Sequence, residues 1–335
     1  MFNKIYEKFK KFIKENYKGI IFLIIFAFIA LYKFPYVIYK PGGSINLNKR
    51  INIEDSYNIN GSYSMNYVTV VKGNIPSLIL AALMPNWDIK NENDITGGID
   101  YDLSFKIEQI ELKNSIFLAT YNAYTKAGKK IIINDKKHYI TYISKESDTN
   151  LKVLDQIDSI DGKKYENLKE FQDYISSLEI NDKVNITVLA NGKTENRYAI
   201  VKDFDGLKKI GIAITTDYDY ETTPKIEIKT KSSEAGSSGG LMLTLALYDE
   251  ITEKDLSHGK NIMGTGTINE FGEVGAIGGV KYKMLGASKD KADIFFIPKD
   301  NYEEALEVYK KFDLKYDLVM VETLDDAINY LNNLN

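Results

Sequence analysis

The stretch Glu234-Ala235-Gly236-Ser237-Ser238-Gly239-Gly240-Leu241-Met242 constrains the chain most. A glycine-bounded pair of serines runs without a break into a segment, Leu241 to Ile251, that is apolar nearly all round. A helix without a polar face belongs in a core, so the loop before it sits at a helix N-terminus. Free backbone N–H groups and the positive end of the helix dipole meet a hydroxyl there. That is a setting for holding the oxyanion formed when the hydroxyl attacks a carbonyl. A tight turn and a phosphate-binding loop compete with this reading. The phosphate loop needs Gly-x-x-x-x-Gly-Lys-[Ser/Thr], and the one Gly-Lys-Thr, Gly192-Lys193-Thr194, has Thr187 where the first glycine should stand.

Some twenty-five residues after the serines comes Gly264-Thr265-Gly266-Thr267-Ile268-Asn269-Glu270-Phe271-Gly272-Glu273-Val274-Gly275-Ala276-Ile277-Gly278-Gly279-Val280-Lys281-Tyr282-Lys283. It reads as a strand, a turn at Glu270 to Gly272, a second strand, and a Gly-Gly opening of a helix with Lys281 in its first turn. A cation is disfavoured at that end of the dipole, which with burial would favour the uncharged amine.

The segment from about Ile226 to Asn301 resembles the proteolytic domain of Lon-type serine peptidases, which use a Ser-Lys dyad. The family's Gly-Pro-Ser-Ala-Gly is matched by Gly236-Ser237-Ser238-Gly239-Gly240, with Ser237 where proline is usual and Gly239 where alanine is common. The resemblance implies that Ser238 is the nucleophile and that Lys281, the first lysine of Gly-Gly-[Leu/Ile/Val]-Lys, is the general base. It makes Thr265 the residue supporting that lysine, with Gly236 and Ser237 around the nucleophile. The family's Pro-x-x-Asn follows as Pro298-Lys299-Asp300-Asn301.

The remaining composition fits that chemistry. No cysteine is present, so disulfides, thiol catalysis and cysteine-metal sites are excluded. His138 and His258 are too few for a histidine-rich metal site, and His258 falls in the polar run Thr252 to Lys260, which reads as an exposed loop. A net charge of -4 gives no reason to expect a nucleic-acid partner. No metal or nucleotide cofactor is expected.

Residues 1–18 carry six lysines against Glu7 and Glu15, and Gly19 begins an apolar run that continues past Lys33 to Tyr39. Basic residues before about twenty apolar ones predict a transmembrane signal anchor over 19–39 with a cytoplasmic N-terminus, rather than a cleaved signal peptide, because Phe28 stands where a small residue would precede cleavage. The rest of the chain would then be extracytoplasmic.

Lys40-Pro41-Gly42-Gly43-Ser44 reads as a turn, followed by strands at Ile51 to Ile53 and Tyr63 to Val71, a short apolar helix Ile75 to Met84, and a long helix Leu103 to Ala127 stopped by Gly128. Residues 136–203 form a further unit. Its strand His138 to Ile143 precedes Leu151-Lys152-Val153-Leu154-Asp155-Gln156-Ile157-Asp158-Ser159-Ile160-Asp161-Gly162, which resembles the PDZ pattern with Leu154 in place of glycine. A helix with Leu168, Phe171, Ile175 and Leu178 on one face and a hairpin around Asn191-Gly192 complete it. A PDZ domain takes an extended peptide alongside a groove between strand and helix. Lys136-Lys137-His138, before Tyr139, lacks the glycine-bearing loop that grips a terminal carboxylate.

The layout is similar to membrane-anchored Lon-like proteases of Gram-positive bacteria that carry a PDZ domain, of the pheromone-processing type. Gly61-Ser62-Tyr63-Ser64-Met65-Asn66-Tyr67-Val68 meets their Gly-x-[Phe/Leu]-x-x-Thr-x-Val with Asn66 for threonine, and Leu112-Lys113-Asn114-Ser115-Ile116-Phe117-Leu118-Ala119 loosely meets their Met-x-x-Ser-Gln-x-x-Ala. The expected architecture is α/β (α+β). It has an anchor, an extracytoplasmic α/β region over 40–135 packing with the protease, a PDZ-like β-rich domain over 136–203, and a Lon-type proteolytic domain over 204–335. The expected function is an ATP-independent extracytoplasmic serine endopeptidase acting on peptides or flexible, membrane-tethered segments, with Ile226-Glu227-Ile228 as the edge that receives them. A homo-oligomer is compatible with this reading. The alternatives are an inactive membrane-anchored peptide-binding scaffold and an extracytoplasmic nucleotide-binding protein.

Overall fold

Every residue of the helix Gly240–Glu250 is buried, as its predominantly apolar sequence requires. The computed structural model describes residues 2–334. A first block runs through α1 (Phe2–Leu31), β1 (Tyr36–Asn46), β2 (Ile51–Ile53), β3 (Ser62–Lys72), α2 (Ile75–Leu83), β4 (Asp88–Asn91), α3 (Glu92–Thr96) and α4 (Tyr101–Lys126). A middle block holds β5 (Lys130–Ile143), β6 (Gln156–Ile160), α5 (Leu168–Ser177), β7 (Lys183–Ala190), β8 (Lys193–Ile200), β9 (Lys202–Phe204), β10 (Leu207–Lys209) and β11 (Ile212–Thr223). A last block comprises β12 (Ile226–Ile228), α6 (Gly240–Glu250), β13 (Asn261–Gly264), β14 (Thr267–Ile268), β15 (Val274–Gly275), α7 (Val280–Lys289), β16 (Ile294–Pro298), α8 (Tyr302–Lys311), β17 (Asp317–Val321) and α9 (Leu324–Asn332).

The first and last blocks build one sheet, in the order β17-β16-β13-β3-β1-β4. β3 joins them: it pairs antiparallel with β1 and parallel with β13, Tyr63 opposite Ile262 and Met65 opposite Gly264. Helix α6 lies in the core between this sheet and α4, with Leu241, Met242, Leu245 and Leu247 fully buried. At its polar end the Asp249 carboxylate accepts from Tyr63 Oη (2.9 Å) and from the Leu256 N–H (2.7 Å), which satisfies a buried charge. The region over 40–135 therefore supplies half of the sheet that the last block completes and is not a frame packed outside it.

The middle block is an insertion in that fold, with its own core around Ile140, Phe171, Val184, Ile186 and Val188. Its sheet runs β11-β5-β6-β7-β8, and β11 pairs with β5 from Thr223 opposite Lys130 to Ile212 opposite Ile143. Residues 204–223, expected in the last unit, thus belong to the insertion, and the boundary falls between Thr223 and Ile226. The hairpin β7–β8 turns on Asn191 and Gly192, both at positive φ (51° and 78°), as the sequence predicts. Leu154, standing where the PDZ pattern has glycine, takes φ 71°.

Two local expectations change. Lys40 to Ser44 is no turn; β1 runs straight through it with a bulge between Pro41 and Ser44, and Gly42 lies flat against the Tyr67 carbonyl, where a side chain would collide. Nor is 19–39 one span, because α1 ends at Leu31 and Tyr36 to Tyr39 are already paired with β3 and β4. The apolar part of α1, residues 19–31, rises only about 20 Å at ~1.5 Å per residue, against the ~30 Å of a bilayer core. Among the described residues no helix is long and apolar enough to cross a membrane.

Separate cores imply separable stability. Leu245→Ala is expected to cost about 2–5 kcal/mol in the sheet formed by the first and last blocks, and Ile186→Ala a similar amount in the middle block. Urea titration followed by hydrogen exchange should show each substitution deprotecting its own core first; uniform loss of protection in both variants would show one cooperative unit.

Candidate active site

The serine loop is clamped from several sides. Gly236, at φ 93°, donates its N–H to the Glu108 carbonyl on α4 (2.9 Å), and Ser115 Oγ on the same helix donates to the Ser237 carbonyl (3.0 Å). Arg50 holds Glu234 by an ion pair of 2.8 Å. The Ser238 carbonyl accepts from the Gly266 N–H (2.8 Å) and from Thr265 Oγ1 (3.0 Å). Gly239 and Gly240 are steric necessities: a side chain at 239 would strike the Met65 sulfur, and one at 240 would press on Ser115 Oγ and Ile268. The Gly236 N–H, expected among the oxyanion donors, is therefore already engaged. The N–H groups of Ser237, Ser238 and Gly239 make no hydrogen bond among the described residues and lie at the start of α6.

The lysine beside this loop is Lys283, not Lys281. Lys281 points outward, with its side chain about a quarter exposed, and its ammonium pairs with Asp88 on β4, which Tyr282 Oη also reaches. Partial burial acts to raise the Asp88 carboxyl, but hydrogen bonds from Lys281 and Tyr282 and the Lys281 charge hold it below the usual carboxylate range. Lys283 is 3% exposed and its Nζ donates to Thr265 Oγ1 at 3.0 Å. Because Thr265 Oγ1 in turn donates to the Ser238 carbonyl, one hydroxyl separates the amine from the backbone of the serine. Burial pushes the Lys283 amine down to about 7 from its ordinary 10.5, which corresponds to about 5 kcal/mol against the ammonium.

Thr265 thus occupies the place expected for it, with a different lysine. The signal for Lys283 was present in the sequence: among the buried positions of α7, Val280, Lys283, Met284 and Ala287 are spaced i, i+3, i+4, i+7. Lys281 lies about 110° from the centre of that stripe, at ~100° per residue. Gly279, at φ 74° and with the Val68 side chain filling the space a Cβ would need, sets the entry of α7. Asn301, of the Pro-x-x-Asn segment, fixes the residue ahead of the Gly-Gly pair by accepting from the Ile277 N–H (2.8 Å) and donating to its carbonyl (3.0 Å).

Ser238 borders a cleft of ≈ 460 Å³ walled by Ser44 to Asn46 of β1, Met65 to Val68 of β3 and Ser233 to Gly236. The bulged strand β1 rather than β12 is its long wall; β12 has one edge taken by β2. Neither histidine lines the cleft: His138 hydrogen-bonds Thr216 in the middle block and His258 is exposed. Among the described residues no cluster of three or more His, Asp or Glu side chains is placed to hold a metal ion.

A second groove, of ≈ 590 Å³, lies in the middle block between α5 and the chain from Leu207 to Ile214, with Leu168, Phe171, Ile175, Ile210 and Ile212 in its walls. The strand beside the PDZ helix is therefore the start of β11, and the loop before it is Lys208-Lys209-Ile210-Gly211. Lys136 to His138 belong to β5, which precedes β11 by some seventy residues yet lies one strand further in, away from the groove.

Residues 224–333 match the family profile of the Lon protease C-terminal proteolytic domain, and residues 125–199 match that of the PDZ domain. The chain is 30% identical over 118 residues to Lon protease of Mesomycoplasma hyopneumoniae, covering 34% of this chain and 13% of that protein. It is 32% identical over 127 residues to Lon protease of Metamycoplasma arthritidis, covering 37% and 14%. The matched part is thus about one seventh of the length of these relatives. Among solved structures, the PDZ domain of the SdrC-like protein of Listeria monocytogenes aligns with 25% of this chain and 92% of its own length, at 26% identity and a TM-score of 0.23. One chain therefore carries a Lon-type proteolytic domain over residues 224–333 and a PDZ domain over residues 125–199.

Proposed function

We propose that the protein is a serine endopeptidase in which Ser238 is the nucleophile and Lys283 the general base. The observation that carries this reading is the buried Lys283 amine, one hydroxyl away from the serine backbone. Lys281, paired at the surface with Asp88, takes no part in the chemistry and fixes the start of α7.

The neutral Lys283 amine keeps one N–H on Thr265 and uses its lone pair to take the Ser238 proton as Oγ bonds to the scissile carbonyl carbon. The oxyanion is held by the N–H groups of Ser238 and Gly239 at the start of α6. The Lys283 ammonium then gives its proton to the departing amine, leaving an acyl-serine that water hydrolyses with the lysine again as base. Cleavage runs without nucleotide. Substrates are short peptides or flexible segments that lie extended along β1 in the cleft, after docking by an end or a strand in the α5–β11 groove. The apolar end of α1 holds the catalytic unit at a membrane surface.

Ser238→Ala and Lys283→Gln are each expected to lower kcat/KM by about 10³-fold or more, and Lys281→Ala by less than about tenfold. Peptide cleavage by purified, folded variants tests this, together with serine-specific phosphonate labelling at Ser238; an active Lys283→Gln enzyme would sink the assignment. The rate should fall below a pH of about 7, where the amine is protonated and cannot accept.

Stability supplies an independent readout of the same amine. The folded chain holds Lys283 at about 7 and the unfolded chain at about 10.5, so between these values the unfolded chain binds the extra proton. Lys283→Met should therefore raise Tm, by its full amount below a pH of about 7 and by nothing above about 10.5. A Tm unchanged across that range would place the amine in water.

In the groove, Leu207 is exposed and lines the wall opposite Phe171. Leu207→Asp should raise KM for longer substrates with kcat on a short peptide unchanged; equal effects on both would remove the groove from substrate binding.

A further inference from the structure

Helix α2 leaves an apolar face exposed. Ile75–Leu83 contains no charged residue, yet Ile79, Leu80, Leu83 (77%) and the following Met84 are exposed. Its position is fixed by the chain leaving α1. Asn74 caps α2 through the Ser77 N–H and donates its amide to the Ala30 carbonyl at the end of α1 (2.6 Å). The Phe34 N–H donates to the Gly73 carbonyl (2.9 Å) and the Gly73 N–H to the Tyr36 carbonyl (2.7 Å). The exposed apolar end of α1, with Leu31 and Tyr32, thus runs into the exposed face of α2 as one patch.

The rim of this patch has a particular chemistry. Trp87, the sole tryptophan, follows α2 and is half-buried, with the Lys40 ammonium 4.6 Å above its ring. Lys90 stands over Tyr39 at 4.7 Å, and Lys33 is exposed beside Tyr32. Apolar side chains bounded by indole, phenol and lysine are what a segment seated at the headgroup level of a bilayer presents. A protein partner would instead be met by a patch closed with paired polar groups.

We infer that α2 and Trp87 form a second lipid contact, dipping into the bilayer surface beside the apolar end of α1. The inference rests on the reading that α1 is lipid-bound, and it adds what α1 alone does not supply: a fixed orientation. One attachment leaves a domain free to swivel; two, joined at Asn74, present a single face of the sheet to the membrane. Asp88, next to Trp87, holds Lys281 and Tyr282 at the start of α7, so the lipid contact lies one residue from the clamp on the catalytic helix. The substrate class that follows is the extended segment of a membrane protein close to the bilayer surface.

The full chain, added to phosphatidylcholine/phosphatidylglycerol vesicles, separates the two readings. Flotation reports α1, and fluorescence of Trp87 reports α2. Lipids brominated near the headgroup end of their chains should quench Trp87 by about twofold or more in the wild type, and Leu80→Glu/Leu83→Glu should abolish that quenching while the chain still floats. Trp87 unquenched by brominated lipid, and open to aqueous iodide, in a chain that floats would overturn the second contact and leave α1 standing. A chain that does not float would overturn both. Iodide protection that appears with rising protein concentration and without lipid would give the face to a second copy and overturn the lipid assignment.

Discussion

The site depends on keeping one lysine amine dry. Lys283 lies on the buried stripe of α7 with Val280, Met284 and Ala287, on a helix packed against β1, β3 and β13, and its amine donates to Thr265. Desolvation on the order of 5 kcal/mol is a large fraction of the stability of an ordinary domain, and it must be offset by the apolar core on either side of the helix. A well-packed core therefore keeps the amine uncharged: loosening α7 would let water in and restore the ammonium. The surface clamp of Lys281 and Tyr282 on Asp88 works to the same end from the other side of the helix.

That burial cannot be provided by residues 224–333 alone. β3, from the first block, supplies Met65 behind Gly239 and Val68 behind Gly279, and α4 supplies the Glu108 carbonyl and the Ser115 hydroxyl that hold the serine loop. The loose sequence pattern around Ser115 and the Gly61 to Val68 segment both find their physical reason at these contacts. The PDZ insertion is tied to the same frame, leaving from the end of α4, the helix that clamps the serine loop, and returning at β12.

Much of this was legible in the residues. The predominantly apolar stretch after the serines predicted a buried helix, the Gly-Gly pair predicted the start of α7, and the Asn191-Gly192 turn predicted its hairpin. What failed did so for identifiable reasons. Position in a motif pointed to the first lysine after the glycines, but a residue's facing follows from the helical period, and the 3.6 spacing of Val280, Met284 and Ala287 selects the third position. Residues 40–44 look like a turn because proline and two glycines cluster there, yet the glycines serve close approach to Tyr67 within a bulged strand. The carboxylate-gripping loop was sought before β5, since the order of strands in a sheet cannot be read from their order in the chain.

Two lysines separated by one residue illustrate how narrowly a helix divides chemistry from structure. Positions two apart on a helix differ by roughly 200°, so only one of the pair can face inward. Lys281, at the first turn where the dipole disfavours a cation, is compensated by the carboxylate of Asp88 and stays a charge. Lys283 has no carboxylate near it, and the absence is what leaves its amine free to be neutral: an acid in that pocket would stabilise the ammonium and undo the effect of burial. A hydroxyl is the partner that satisfies one N–H without paying for the charge, and Thr265 is held in place for that by its backbone bond to Phe296 and its own donation to Ser238.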